Sequence, residues 1–395
     1  MIRKVPPWAA RLREERRERG WTQREMAKRL ADAASGDVRL PERDSLIRRI
    51  KDWEAGNHRP KDPYPVLYAR AFGLDEAELF EGGHRVTTDA VAHGFPASSH
   101  RHVAPELVDY FRLQLLSHYA ADAFLGPRHL IATVAVQYQS ITELAGQADG
   151  EVQRELLRLG AGFAAFAGWL CQDAGMTGRA AVWLNANLEM AHRAQDVQLV
   201  SHALTNKAML AADLGDASAV IGLTAAALSD RGKLMPKTQV LALQQSAHGY
   251  ALASDRARCD ALLDQAAAII DDIDDDHMWG NACRTPNYVE IQRATCYGRL
   301  GLTTDAVVLW DQILPSMPVT ARRDIGVFLA RQSAALATIP EPERATDAAR
   351  KAIELLHQTG SIRQRAELAA VSARIGAWAD TAQGREMAEM LAGVT

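Results

Sequence analysis

The chain has 395 residues, 48% of them hydrophobic and 24% charged, with a formal net charge of −4. That is too long for one ordinary hydrophobic core and ordinary in composition for a globular protein, so two or more units are expected. With no run of about 18 uncharged apolar residues and no export-type leader at the basic N-terminus, a membrane span is excluded and a cytoplasmic location expected.

The charge is unevenly distributed. Residues 1–61 hold 17 Lys/Arg against 10 Asp/Glu, while the remainder holds 28 against 39. A basic head on an acidic body points to nucleic acid, although a solvated surface face would give the same count. The four cysteines, Cys171, Cys259, Cys283 and Cys296, are widely spaced and form no C-x-x-C pair, so they read as small buried apolar residues rather than zinc ligands or disulfides.

In chain order, residues 8–80 predict several short helices. WAARLREERRERG is the first, stopped at Gly20. WTQREMAKRLADAA is the second, where Thr22 and Glu25 fit a capping box and Met26, Ala27 and Leu30 form the inward stripe. After the breaker SGD, ERDSLIRRIKDWEAG predicts a third helix that turns Leu46, Ile47, Ile50, Trp53 and the stem of Glu54 inward and stops at Gly56. PYPVLYARAFGL and DEAELF complete a unit spanning 1–80. Residues 81–104 mix Gly, Ser, Pro and His without periodicity and read as a linker.

From Pro105 to residue 395 only amphipathic helical stretches are expected, and they repeat. Gly175, Gly215, Ser254 and Gly301, spaced by 40, 39 and 47 residues, are each preceded seven positions earlier by Gly168, Ala208, Ala247 or Ala294. Five positions after them stand Ala180, Val220, Cys259 and Ala306, and a fifth, longer unit carries Ser333, Ala345 and Ala352. Small residues at fixed phases let paired helices approach closely, as a solenoid of helical hairpins requires. An alanine-rich generic bundle is the plainer alternative.

A helix, a turn and a second helix with outward positive residues is the geometry by which a helix enters the DNA major groove. Projected at 100 degrees per residue, Ser45, Arg48 and Asp52 oppose the apolar face of the third helix, with Arg49 and Lys51 flanking. Arg48 is the first choice for reading a base, with Arg49 or Ser45 beside it, since arginine can bond guanine O6 and N7 together. Gln23, with Arg24 next to it, would hold a phosphate at the start of the second helix, and Asn57, Arg59 and Lys61 would position the DNA backbone.

TQREMAKRL followed by IKDWEAGNHRP resembles the XRE family of helix-turn-helix regulators, the lambda repressor and Cro-like proteins. Thr22, Gln23, Met26, Ala27, Ile50, Trp53, Glu54, Gly56 and Pro60 carry the match over about 75 residues. The loop ADAASGDVRLPERD is longer than the family's usual turn, which leaves the start of the recognition helix open by several residues. The whole chain resembles actinobacterial regulators that join such a head to a tetratricopeptide-like body, through LGPRHLI, GWLCQDAG and CYGRLGLTTDA. The resemblance implies an all-α fold, double-stranded operator DNA as partner, a homodimer, and a body whose groove takes a peptide or small-molecule effector.

In the repeat register, Asn206, Gln245 and Gln292 share one phase, where amides could bond an extended peptide or a metabolite or else bridge neighbouring repeats. His202, Gln244, His248 and Tyr288 fall on adjacent phases, and Trp169 closes the row. His93, His100 and His102 lack further ligands at metal spacing, and the acidic run 271–277 lacks the features of a calcium loop. No catalytic or nucleotide-binding motif is present, so neither an enzyme nor a cofactor is expected. The alternative to a regulator is a protein-interaction scaffold that docks a regulatory partner through the body and only weakly anchors on DNA.

Overall fold

The computed structural model describes residues 6–19, 21–34, 40–72, 76–80, 103–273, 283, 285–339 and 341–394. These residues are α-helical with short 3₁₀ turns and no strand, and no helix among them is long and apolar enough to cross a membrane. The chain divides into two compact units, residues 1–99 and 100–395. The helix stop at Gly20, most of the expected linker with its three histidines, and the acidic positions 274–277 lie outside the described residues.

The first unit contains α1 (Pro7–Glu18), α2 (Gln23–Asp32), α3 (Arg43–Glu54), α4 (Tyr64–Phe72) and α5 (Glu76–Phe80). Helix α2 starts where the sequence predicts: Thr22 Oγ1 accepts from the Glu25 N–H at 3.2 Å and Glu25 returns a carboxylate to the Thr22 N–H at 2.6 Å. Two of the helix's orphan donors are thereby satisfied. Helix α3 begins at Arg43, two residues before Ser45, so the open question of its start resolves to the early side. It ends because Gly56 takes φ +77°, and a side chain there would also collide with the Pro6 ring. Leu12, Met26, Leu30, Leu46, Ile50 and Tyr68 fill the core, and Trp53 packs against Tyr64 with ring centroids 4.6 Å apart.

The second unit is a succession of helical hairpins. It opens with α6 (Glu106–Leu125) and α7 (Pro127–Gln147), followed by the pairs α8 (Gly150–Asp173) with α9 (Thr177–Arg193) and α10 (Val197–Asp213) with α11 (Ala217–Ala227). Next come α12 (Pro236–Leu252) with α13 (Arg256–Ala267) and α14 (Tyr288–Arg299) with α15 (Thr303–Ile313). Helices α16 (Arg322–Leu336), α17 (Pro342–Thr359), α18 (Ile362–Ser372) and α19 (Ala382–Ala392) complete it. The first helix of each pair packs on its own partner and on the first helix of the following pair: α8 on α10, α10 on α12, α12 on α14, α14 on α16 and α16 on α18.

The four repeat markers occupy one structural place. Gly175, Gly215, Ser254 and Gly301 sit between the helices of consecutive pairs with φ of 73°, 76°, 61° and 74°. The left-handed residue ends one helix and lets the chain reverse within three residues. Asp216 and Asp255, each following its marker, then cap the returning helix. The small residues before and after the markers are the contact points. Ala208, Ala247 and Ala294 are fully buried, as are Ala180, Val220, Cys259 and Ala306. A methyl group added at Gly168 would stand 2.7 Å from Leu184 of the partner helix. In the fifth unit the Ser333 hydroxyl donates to the Ala345 carbonyl at 2.8 Å, a polar version of the same close contact. The expected burial of all four cysteines needs one correction: Cys283 is only half-buried, because it lies in the connection before α14 rather than on a helix.

Ser254 is the one marker with a Cβ, and an L side chain in the left-handed region costs about 1 kcal/mol. Ser254→Gly is therefore expected to stabilise the second unit by about 0.5–1 kcal/mol, and Gly215→Val to destabilise it by at least about 1 kcal/mol. Denaturant midpoints of the two variants check this, and a fall in midpoint for Ser254→Gly would contradict it.

Candidate functional sites

In the first unit, the geometry of α3 is set from beneath by one buried ion pair. Arg16 of α1 reaches Glu54 of α3 through two parallel bonds, Nε to Oε1 at 2.6 Å and Nη2 to Oε2 at 2.8 Å. Its Nη1 also donates to the Trp21 carbonyl at 2.6 Å, immediately before α2. Both side chains are buried, and the hydrogen bonds to Glu54 hold the Arg16 guanidinium above its ordinary pKa. Such a fork fixes direction as well as distance. Gln23 joins it: its Nε2 donates to Glu54 Oε2 at 3.0 Å, so the start of α2 and the end of α3 share one carboxylate.

Above this anchor, α3 turns Ser45, Arg48, Lys51 and Asp52 outward, all exposed. Ser45, Arg48 and Lys51 make no hydrogen bond or ion pair among the described residues, and neither do Arg24 on α2 and Lys61 beyond α3. The other expected DNA contacts are differently placed. Arg49 donates to the Tyr64 hydroxyl at 3.0 Å and lies over that ring, and Arg59 donates to the Phe80 carbonyl at 3.1 Å. Asn57 donates to Asp52 Oδ1 at 3.3 Å. These three hold the segment after α3 in place, and Gln23 commits one amide N–H to Glu54. Arg13 and Arg17 of α1 are not among the residues singled out from the sequence. They line, with Arg16, Gln23, Lys51, Glu54 and Ala55, an open depression of about 220 Å³. Their spacing of four on a charged helix was the available signal, but only packing tells which elements the arginines join.

In the second unit, the polar residues gather on the first helices of the pairs. Gln172 of α8 donates to Asp213 of α10 at 2.6 Å, and Gln245 of α12 donates to the Ala208 carbonyl of α10 at 3.3 Å. His248 of α12 meets Gln292 Oε1 of α14 at 2.9 Å through Nε2 and receives Arg299 Nη1 at 2.7 Å on Nδ1. Arginine can only donate, so His248 is the neutral tautomer with its proton on Nε2. Arg331 of α16 donates to Thr295 of α14 at 3.0 Å and pairs with Glu367 of α18 at 2.7 Å. Arg323 of α16 binds Asp122 of α6 at 2.7 Å, across 201 residues of chain, and Trp169 Nε1 approaches the same carboxylate at 3.4 Å.

The expected ligand row is thus partly a structural one. Two of its three in-phase amides, Gln245 and Gln292, bridge neighbouring hairpins, because an amide can donate across to a carbonyl or accept from an imidazole at this helix separation. Asn206 approaches His202 on its own helix at 3.4 Å. Burial, then the neighbouring Cys283 thiol, raise the Tyr288 hydroxyl well above its ordinary pKa. Gln244 is different: it is 7% exposed and its Oε1 has no partner. Trp169 remains half-buried with Arg363 over its ring at 5.6 Å.

Electrostatically this interior favours neutral imidazoles. Burial, then the Arg299 guanidinium, hold His248 well below the usual range, and burial with nearby Lys237 brings His202 down to about 4. Burial works to raise Glu367, yet Arg331 outweighs it and leaves the carboxylate below its ordinary value. Among the described residues no group of three His, Cys, Asp or Glu side chains could hold a metal ion. A comparison of the sequence with protein-family models matched none, and one with curated proteins found no related chain.

Two outcomes are expected. Glu54→Ala leaves Arg16 buried without its carboxylate and should destabilise the first unit by about 3–5 kcal/mol, read as lost hydrogen-exchange protection in α1–α3 of the full chain; unchanged protection would refute the anchor. The histidines, protonated in the unfolded chain below a pH of about 6.5 but neutral when folded, contribute stability that is complete above that pH. This stability is lost as pH falls toward about 4, at no more than about 1.4 kcal/mol per pH unit for each histidine. Melting curves between pH 7.5 and 5 should flatten in His248→Gln with His202→Gln, and an unchanged slope would show that other groups carry it.

Proposed function

We propose that the chain is a sequence-specific DNA-binding regulator, an XRE-like helix-turn-helix head joined to a tetratricopeptide-like body that senses a peptide or small molecule and contributes to dimerisation. The observation that carries this reading is the contrast between the two faces of α3. Its inner face is fixed by Ile50, Trp53 and the Glu54 fork, and its outer face offers Ser45, Arg48 and Lys51 exposed and unpaired among the described residues. A rigid helix with unengaged donors suits base edges, where each good bidentate contact discriminates by about 1–3 kcal/mol. Arg24, Lys51 and Lys61, with Arg13 and Arg17, then supply phosphate contacts.

In a homodimer, two such helices would meet half-sites one helical turn apart. An effector with different affinity for two arrangements of the heads would shift binding by that difference alone. The rival reading, a scaffold that docks a regulatory protein, draws on Tyr110, Leu113 and Leu116 of α6, which are large, apolar and exposed. A dimer contact would use the same face, and DNA behaviour separates the two readings.

Selection of bound fragments from random DNA at about 150 mM salt, where phosphate-driven nonspecific binding is weak, should return a palindromic motif. Recovery of no motif would favour the scaffold. On the selected site Arg48→Ala should cost about 1–3 kcal/mol and relax one base position, whereas Lys61→Ala should weaken all sequences alike and lower the salt slope by about 1. Arg48→Ala binding like the parent chain would overturn the assignment of α3 as the reading helix.

A further inference from the structure

Arg299 ends α14, half-buried, and only one of its guanidinium nitrogens is bonded to a protein group among the described residues. Its protein partner is the Nδ1 of His248, an uncharged acceptor at 2.7 Å, and no carboxylate stands within ion-pair distance among the described residues. A guanidinium carries five N–H donors in a planar fork. The contrast with the other arginines of this interior is informative. Arg323 is matched to Asp122 at 2.7 Å and Arg331 to Glu367 at 2.7 Å, so carboxylates are supplied where the fold needs them. Arg299 is given a neutral imidazole instead, with its second nitrogen fixed by Gln292 at 2.9 Å. That arrangement orients a guanidinium with no carboxylate in direct contact, Asp213 and Glu367 acting on it only from longer range.

The surroundings extend the same pattern. Arg363 lies over the Trp169 ring at 5.6 Å and has no hydrogen bond or ion pair among the described residues. Arg331 bonds Thr295, one turn before Arg299 on α14, and pairs with Glu367, one turn after Arg363 on α18, so the three guanidiniums lie in one region. One turn before His248 on α12, and hence on the same face, the buried Gln244 holds an Oε1 with no partner. An unsatisfied buried acceptor one turn from the imidazole that holds a cation without a directly paired carboxylate suits a ligand with an anionic group and an N–H or O–H donor close to it.

We propose that the interior of the helical-hairpin body binds an organic carboxylate, with Arg299 as its anion-binding group, Arg363 on Trp169 as a second cation, and Gln244 accepting from the ligand's adjacent donor. This rests on the reading of the body as a sensor and names the chemistry that it senses. His248 acts through Arg299 as a positioning residue: replacing the imidazole leaves the guanidinium charged but unoriented. The site differs from the amide row that repeat periodicity picks out, since Gln245 and Gln292 are engaged between hairpins.

The experiment uses the full chain at pH 7.5 and 150 mM salt, with melting and calorimetric titrations against hexanoate and N-acetylphenylalanine, their primary amides, and inorganic phosphate. Each acid is expected to bind at least tenfold tighter than its amide, the size of effect that a charge-assisted hydrogen bond carries. Arg299→Met should abolish the preference and, without ligand, melt no lower than the parent chain, because it removes a cation that has no directly paired carboxylate in the fold. Binding of phosphate in place of the acids, with the same loss in Arg299→Met, would overturn the carboxylate assignment and make the anion phosphoryl.

Equal affinity for acids and amides would overturn the anionic assignment while leaving the sensor reading intact. No binding by any probe would overturn it as well, with DNA selection then judging the regulator reading separately. A melting point in Arg299→Met as depressed as a broken buried ion pair predicts would show that Arg299 is a structural partner, and would also remove the proposal.

Discussion

Two helices can approach each other closely only where the residues at the crossing are small, and the second unit is built on that constraint. Gly168, Ala208, Ala247 and Ala294 on the first helices and Ala180, Val220, Cys259 and Ala306 on the second are all buried. At Gly168 a single added methyl would meet Leu184. With the pairs drawn this close, the reversal between them has room for only a few residues, which forces the left-handed turn at Gly175, Gly215, Ser254 and Gly301. The phase of every other side chain follows. Positions that do not contact the paired helix point either to solvent or toward the first helices of adjacent hairpins, where the polar network lies.

That network is held by matching rather than by burial alone. Gln172 with Asp213, Arg331 with Thr295 and Glu367, and Arg323 with Asp122 each tie one first helix to another. Buried polar groups are costly when unpaired and directional when paired, so these bonds specify which hairpins meet and in what register. Pairing is not complete: Gln172 Oε1, Asp173 Oδ2, the Asn187 amide and Gln244 Oε1 are buried without a hydrogen-bond partner among the described residues.

The first unit solves a different problem with one bond system. A surface helix that must present charged side chains needs its orientation fixed from the other side. The Arg16 fork on Glu54 does this, because two parallel charge-assisted bonds constrain rotation as well as separation. Tying in Gln23 and the Trp21 carbonyl couples α1, the start of α2 and the end of α3 through the same two side chains. Arg49 and Arg59, folded back on Tyr64 and the Phe80 carbonyl, steady the segment that follows.

What could be read from the sequence alone was whatever depends on local chemistry or on a period. The capping box at Thr22 and Glu25, the inward stripe of Met26, Ala27 and Leu30, the stop at Gly56 and the phase of the repeat markers all follow from interactions within a few residues or from helical geometry. The outward position of Arg48 follows from the same geometry, since Ile50 and Trp53 face inward. Partner choice was not legible. That Arg49 would fold onto Tyr64, that Arg13 and Arg17 would join Lys51 around one depression, and that Gln245 and Gln292 would bridge hairpins are facts about which surfaces meet. A long side chain reaches several neighbours, and only the packed helices decide which acceptor lies at the end of it. The neutral partner of Arg299 belongs to this second class: Gly301 marks its helix in the sequence, but His248 reaches it only because α12 and α14 lie side by side.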